Sequence, residues 1–170
     1  MYVLQLVLRL IHILAGAFRA GAAVAFAAFV EPSVRASGPS GGPVMQQLVR
    51  SGFSKALGLA TLLNVFSGLW LYWLVSGRLH PAWIGTNAGL SLTLGGLAGL
   101  AAAAHGFAVQ SRGAARLQAV GAQVAAAGGP PSPEQMGEIQ GLQTRLRKGG
   151  RWSAVLLVVS VVGMAAARAL

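Results

Sequence analysis

The 170-residue chain contains no cysteine, few charged residues and almost no acids. The absence of cysteine excludes disulfides, thiolate metal sites, iron–sulfur clusters and cysteine nucleophiles. Only 9% of the residues are charged, against about 25% in a typical soluble domain, which argues against a free cytosolic globule. With only three acidic residues, the chain offers no pattern of paired catalytic carboxylates, and we identify no catalytic residue.

The residues that are abundant are apolar or small. Hydrophobic residues make up 55% of the chain, and the mean hydropathy is +0.64. A disordered chain would need low hydrophobicity and many charges. The 24 glycines follow no Gly-X-Y period, so a collagen-like helix is excluded as well. The composition predicts one integral membrane domain over residues 1–170.

The formal net charge is +10, which in a soluble protein would suggest a nucleic-acid partner. In this chain most Lys and Arg residues fall between the apolar segments, where they can meet anionic lipid headgroups and set the topology. The expected partner is therefore the lipid bilayer, and no nucleic acid is expected.

Four segments are apolar enough to cross a bilayer, which takes about 20 residues. They cover approximately residues 3–30, 53–75, 83–109 and 152–170. We expect the first helix to end at Glu31-Pro32, because proline disfavours helix in the residue before it. The fold class predicted from these segments is an all-α, integral membrane four-helix bundle.

The distribution of Lys and Arg predicts the orientation of the four spans. One side of the membrane would hold nine basic residues: Arg35, Arg50, Lys55, Arg112, Arg116, Arg145, Arg147, Lys148 and Arg151. The other side would hold Arg9, Arg78 and Arg168. The positive-inside rule places the first side in the cytoplasm and both termini outside. An aromatic belt is expected at the outer boundary, formed by Trp70, Tyr72, Trp73 and Trp83.

The N-terminal segment resembles a signal peptide only superficially. A signal peptide has its positive charges before an apolar core of roughly 7–15 residues. Here the first charge is Arg9, Arg19 interrupts the apolar run, and the run continues to Val30. We therefore expect an uncleaved first span.

Residues 111–150 are predicted to form a cytoplasmic helical hairpin between the third and fourth spans. Apolar residues recur at helical spacing on both sides of the break Gly128–Gln135. Ser132 can cap the second helix, with Pro133 first and Gln135 at the capping-box position. The hairpin could be a docking surface for a partner or a linker whose apolar stripes cover one another, and we favour the linker.

His12 and Arg19 are the two ionisable candidates for a functional role in the first span, where buried polar groups cost free energy. They are seven residues apart, which places them on one helix face, roughly 10 Å apart along the axis. Glu31 lies about 18 Å further along the helix than Arg19, so an internal acidic partner is not expected. Arg19 either binds an anion from elsewhere, such as a haem propionate, a lipid phosphate or a carboxylate of another subunit, or it snorkels or bonds backbone carbonyls.

His12 has two alternative roles. Judged by depth in the membrane, a neutral His12 could bond to Ser91 or Asn87 of the third span. Alternatively it could be an axial haem ligand, with Met164 of the fourth span opposite, because His/Met ligation is known chemistry.

His105 is expected at the opposite membrane side from His12, and His80 lies in a short outer loop. These separated histidines form no zinc pattern, and the four scattered methionines form no Cu(I) array.

Small residues in the third span predict close helix packing. Gly95, Gly96, Gly99 and the alanines at 101–104 form small-xxx-small faces. In the second span, Asn64 and Ser67 can add hydrogen bonds between helices.

The opening Leu10-Ile-His-Ile-Leu-Ala-Gly-Ala-Phe-Arg-Ala-Gly21 resembles that of CopD-type copper-resistance proteins and their small four-helix bacterial relatives. More distantly it resembles HemJ-type protoporphyrinogen oxidases. Phe29-Val-Glu-Pro32 and Ser67-Gly-Leu-Trp-Leu-Tyr72 are also similar to segments of the small four-helix relatives. HemJ-type proteins carry a lysine early in the third span, which the stretch Trp83–Ala88 lacks, and Arg19 stands where an aromatic residue is typical.

The resemblance implies a role related to haem or copper, with His12 matching the family histidine. The first hypothesis is therefore a b-type haem-binding or redox accessory protein, with His12 as the metal ligand and Arg19 as a propionate anchor or a polar anchor. The second is a cofactor-free structural or assembly subunit, joined to other membrane subunits or to copies of itself. The third is copper handling.

Overall fold

The computed structural model describes residues 2–170, with all their side chains except that of Pro39. These residues are almost entirely helical and contain no strand. The α-helices are α1 (Tyr2–Ala25), α2 (Glu31–Ala36), α3 (Gly41–Arg50), α4 (Phe53–Val75), α5 (Pro81–Ile84), α6 (Asn87–His105), α7 (Ser111–Ala127) and α8 (Pro133–Ala166). Two π-helical turns, Phe26–Val30 and Gly106–Gln110, and a 3₁₀ turn, Gly38–Ser40, complete the helical segments.

Four continuous helices are long and apolar enough to cross a membrane. They are Tyr2–Ala36, Phe53–Val75, Asn87–Ala127 and Pro133–Ala166. The predictions of an all-α chain and of four such helices are confirmed. The second helix has the predicted bounds, and α8 is longer than predicted because it joins the second hairpin arm to the fourth apolar segment without a break.

The prediction that the first helix ends at Glu31-Pro32 is wrong, because the helix continues to Ala36. A proline inside an α-helix leaves one carbonyl without its donor, and its ring clashes with the carbonyl four residues back. The π turn directly before it relieves this conflict. The Glu31 N–H bonds to the Phe26 carbonyl, five residues back, and Pro32 occupies the first turn of α2.

The long helices associate in two close pairs, α1 with α4 and α6 with α8. In the second pair a Cβ atom on Gly163 would lie 3.0 Å from Gly95 Cα, and one on Gly99 would lie 2.9 Å from Ser160 Oγ. The predicted packing role is therefore confirmed for Gly95 and Gly99, whereas Gly96 has no neighbour within 4 Å of its would-be Cβ.

The two helix pairs resemble one another. The first helix of each pair passes through a π turn, and the two π turns begin 80 residues apart.

The predicted hairpin is formed by α7 and the first half of α8. Its tip contains the predicted capping box, in which Gln135 N–H donates to Ser132 Oγ and Ser132 N–H donates to Gln135 Oε1. Val120 is fully buried (0% exposed) between the arms, and a bidentate ion pair joins Arg116 to Glu138, at 2.6 and 3.1 Å. This pair raises the pKa of Arg116. These contacts support the linker interpretation, because the inner faces of the two arms cover each other.

Candidate functional site

His12 lies on the face of α1 that packs against α4. Its Nδ1 is 3.0 Å from the Asn64 carbonyl oxygen and 3.3 Å from Ser67 Oγ. The carbonyl can only accept, and the Ser67 hydroxyl already donates to the Leu63 carbonyl. Both partners therefore require a proton on Nδ1. The Asn64 side-chain amide nitrogen is also 3.2 Å from Nδ1, but it makes a shorter bond, of 3.0 Å, to the His12 carbonyl. The 3.0 Å contact with the Asn64 carbonyl favours the tautomer in which Nε2 carries the lone pair.

Two glycines make the close approach of α1 and α4 possible. A Cβ atom on Gly68 would lie 2.6 Å from His12 Cε1, so the imidazole ring occupies the space that a side chain would take. A Cβ atom on Gly16 would lie 2.8 Å from Asn64 Nδ2, and that amide donates to the His12 carbonyl at 3.0 Å. Asn64 and His12 therefore each bond to the backbone carbonyl of the other, and these bonds hold the ring against α4.

His12 Nε2 is not used by this network. All the hydrogen bonds of the ring within residues 2–170 go through Nδ1, and the residue is only partly buried. In metal sites a ligating histidine almost always donates its other ring N–H to a carbonyl, a carboxylate or water, which orients the ring and raises its basicity. His12 has this arrangement, with Nδ1 held and Nε2 available.

Arg19 lies two turns further along α1 and is buried, with only 6% of its surface exposed. Its Nη1 is shielded from solvent and has no hydrogen-bond partner in the described part of the chain. Glu31 is not its partner, because that carboxylate lies 3.9 Å from Arg35 and 3.8 Å from Arg151. A buried guanidinium group with an unused donor destabilises the fold unless an acceptor from outside the described residues binds to it.

Among the described residues, no hydrogen bond joins His12 to Ser91 or Asn87. Ser91 Oγ donates to the Gly163 carbonyl at 2.8 Å, so this serine joins α6 to α8. The Met164 backbone lies in the same contact, with its nitrogen 3.1 Å from a would-be Cβ on Gly95. Asn87 is exposed at the first position of α6. The interpretation that pairs a neutral His12 with Ser91 or Asn87 is wrong, because α1 packs on α4 and the bonded partners are Asn64 and Ser67.

The sequence contained a signal for the true partners of His12. Asn64 and Ser67 are polar residues three positions apart in an apolar helix, followed by Gly68, and this spacing indicates one shared interhelical face. Comparing residues by their expected depth in the membrane indicated only which of them lie at the same depth as His12. It could not indicate which of the three other long helices packs on α1.

The remaining histidines have structural surroundings. His105 Nδ1 is 3.1 Å from Ser153 Oγ, and the ring packs where a Cβ atom on Gly149 would lie, 2.8 Å from Cε1. His80 is exposed and precedes α5. Within residues 2–170 no three His, Cys, Asp or Glu side chains are grouped so that they could hold a metal ion.

The candidate site is thus formed by a histidine with one free ring nitrogen and an unpartnered buried arginine on the same helix. Comparison with known proteins adds no relative: no protein-family model, no curated protein and no solved structure matches this chain.

Proposed function

We propose that the chain is a four-span membrane bundle of the bacterial inner membrane, with both termini outside and the α7–α8 hairpin in the cytoplasm. Large apolar side chains on the long helices point outward, including Phe66 (69% exposed), Leu94 (65%) and Val162 (60%). Such extensive apolar surface is unfavourable in water and expected in lipid. Trp70 and Trp73 are exposed near the end of α4, where Arg78 lies 5.6 Å from the Trp73 ring, an arrangement suited to the outer interface.

Single-cysteine labelling tests this orientation directly, because the chain has no native cysteine. Gly129→Cys places a thiol at the hairpin tip, and Ala82→Cys places one in the short loop of α5. We expect a membrane-impermeant maleimide to label Ala82→Cys in intact spheroplasts and to label Gly129→Cys only after lysis. Labelling of both variants before lysis, or the reverse pattern, would contradict the proposed topology.

We further propose that the protein binds one b-type haem through His12 Nε2 and acts as a haem-binding or redox accessory protein. One observation carries this proposal: the Nδ1–H of His12 is bonded to the Asn64 carbonyl while Nε2 has no partner among the described residues. Copper is less well supported, since a copper site needs further ligands and the described residues contain no such group.

Arg19 would serve as the anionic anchor of the same site. It is roughly 10 Å from His12 along the helix, and its unpartnered Nη1 could donate a charge-assisted hydrogen bond to a propionate. The two residues present thus fit the two chemical ends of a haem, an iron and a carboxylate. When bound, the haem would supply one-electron chemistry, while the chain holds the His12 tautomer, neutralises the carboxylate and excludes water with its apolar helices.

Haem content of the purified protein tests this proposal. Protein made in cells with ample haem supply should carry about one haem b per chain by pyridine haemochrome assay. We expect His12→Ala to retain less than about a tenth of it, because the axial bond is lost. His80→Ala is the matched control, since His80 is exposed in the outer loop, and it should retain the wild-type content. Equal haem in His12→Ala and wild type would contradict the assignment of the ligand.

The second candidate function is a cofactor-free structural or assembly subunit of a larger membrane complex. The unpartnered Arg19 favours it, because a carboxylate from another subunit could satisfy the same guanidinium group. This function predicts co-purification with larger membrane subunits in mild detergent. A well-folded, isolated monomer that carries haem would count against it.

A further inference from the structure

We propose that a groove between α1 and α8 binds an anionic phospholipid of the cytoplasmic leaflet. The inference rests on the proposed membrane placement and is independent of haem. The groove has a volume of about 380 Å³ and is lined on one side by Val24, Ala27 and Ala28. The α8 side supplies apolar residues and one cation: Arg151, Ala154, Val155, Val158 and Val159. Neither His12 nor Arg19 lines it, so this site is separate from the candidate haem site.

Local backbone structure accounts for the shape of the groove. Ala27 and Ala28 belong to the π turn Phe26–Val30, which widens α1 where it approaches α8. Small alanines there, together with the buried Ala154, leave a trough whose walls are branched apolar side chains. In a bilayer such a trough is open to the lipid, and an acyl chain is the occupant with matching chemistry.

The end of the groove at Arg151, which faces the cytoplasm in the proposed topology, carries more positive than negative charge. Arg151 and Arg35 flank the single carboxylate of Glu31, at 3.8 and 3.9 Å, and their side chains are 59% and 68% exposed. Both distances exceed a hydrogen bond, and Glu31 Oε2 is buried without a hydrogen-bond partner. Two guanidinium groups face this one carboxylate, so one positive charge has no acidic counterpart within the trio. Lys148 lies one turn before Arg151 on α8 and adds a further cation. A lipid phosphate at the interface supplies the missing anion, and basic pockets between helices on this membrane side recognise anionic headgroups.

A second groove provides an internal comparison. It lies between α6 and α8, has a volume of about 310 Å³, and is lined by Ser91, Leu94, Gly95, Val158, Val159, Val162 and Gly163. It contains no charged residue. An acyl chain in this groove would have no headgroup partner, so no selectivity among phospholipids is expected there.

Native mass spectrometry of the delipidated protein, titrated with equal amounts of dioleoylphosphatidylglycerol and dioleoylphosphatidylcholine, tests the site. We expect the anionic lipid to be retained about fivefold over the neutral one. Arg151→Gln should abolish this preference, whereas Arg145→Gln, an exposed change on the hairpin, should leave it intact.

One further variant separates lipid binding from a structural role of the ion pair, and two more test the groove itself. Glu31→Gln removes the competing carboxylate and should increase retention of the anionic lipid, whereas disruption of a purely structural pair would act in the same direction as Arg151→Gln. Ala28→Phe should fill the groove and reduce lipid retention, while Val162→Phe in the uncharged groove should leave the preference unchanged. No preference in the wild type, equal effects of Glu31→Gln and Arg151→Gln, or a dimer in place of a lipid adduct would overturn the proposal. Because the measurement uses folded protein in detergent, its failure is distinct from a failure of the topology experiment.

Discussion

Replacing Gly163 with leucine is expected to disrupt the α6–α8 pair. A Cβ atom at this position would lie 3.0 Å from Gly95 Cα and 3.1 Å from the Ser91 carbonyl oxygen, and backbone atoms cannot move aside as a flexible side chain can. The two helices must separate, and the hydrogen bond from Ser91 Oγ to the Gly163 carbonyl is lost with the contact. Overpacking of this kind costs about 1–3 kcal/mol or more of unfolding free energy.

The matched control is Gly96→Leu. Gly96 is adjacent to Gly95 on α6, but a Cβ atom there meets nothing within 4 Å, so the same added volume should be tolerated. Unfolding in mixed micelles of dodecylsulfate, followed by circular dichroism, measures both variants. A Gly163→Leu protein as stable as Gly96→Leu would show that α6 and α8 do not pack through these glycines.

The second large effect is expected at Gly68, which faces the ring of His12. A Cβ atom at residue 68 would lie 2.6 Å from His12 Cε1 and 3.0 Å from Nδ1, so Gly68→Val must push the ring off α4. The Nδ1 hydrogen bond to Asn64 then breaks, and Nε2 loses its fixed direction and its added basicity. Loss of such an outer-shell partner typically costs about 10–100-fold in metal affinity. We therefore expect haem content to fall sharply while helix content stays close to that of the wild type.

Gly58→Val is the control for Gly68→Val, because it adds the same side chain to α4 at a position with nothing within 4 Å. Gly68→Ala keeps the test informative if valine unfolds the protein, since the smaller group also displaces the ring. Haem content and helix content are measured on the same samples. Full haem binding by a folded Gly68→Ala protein would show that the position of the His12 ring against α4 is irrelevant to the site.

The parts of the fold that the sequence predicted well are those set by local chemistry. The bounds of α4 follow from an uninterrupted apolar run, and the capping box at Ser132 follows from short-range hydrogen bonding. The sequence analysis separated a hairpin ending near residue 150 from a span beginning at 152, yet α8 continues through this boundary. Gly149 makes room for His105 instead of ending a helix, and that function depends on a residue 44 positions away.

The residues of the candidate site were predictable from the sequence, but the pairing of its helices was not. His12 and Arg19 were identifiable because ionisable groups in an apolar span are costly. The partner of His12 depends on which helix packs beside α1, and helix length and depth do not encode that choice. The continuation of α1 beyond Pro32 likewise depends on a π turn, which shows no distinctive pattern in Phe26–Val30.

The central claim, that His12 ligates a haem, is tested most directly by an absorption spectrum of the detergent-purified protein. The spectrum is recorded oxidised and after reduction with dithionite, with His12→Ala prepared in parallel under ample haem supply. The proposal predicts a Soret band that sharpens on reduction in the wild type and is absent from the variant. A featureless visible spectrum of the wild type, or a haem spectrum unchanged by His12→Ala, would contradict it.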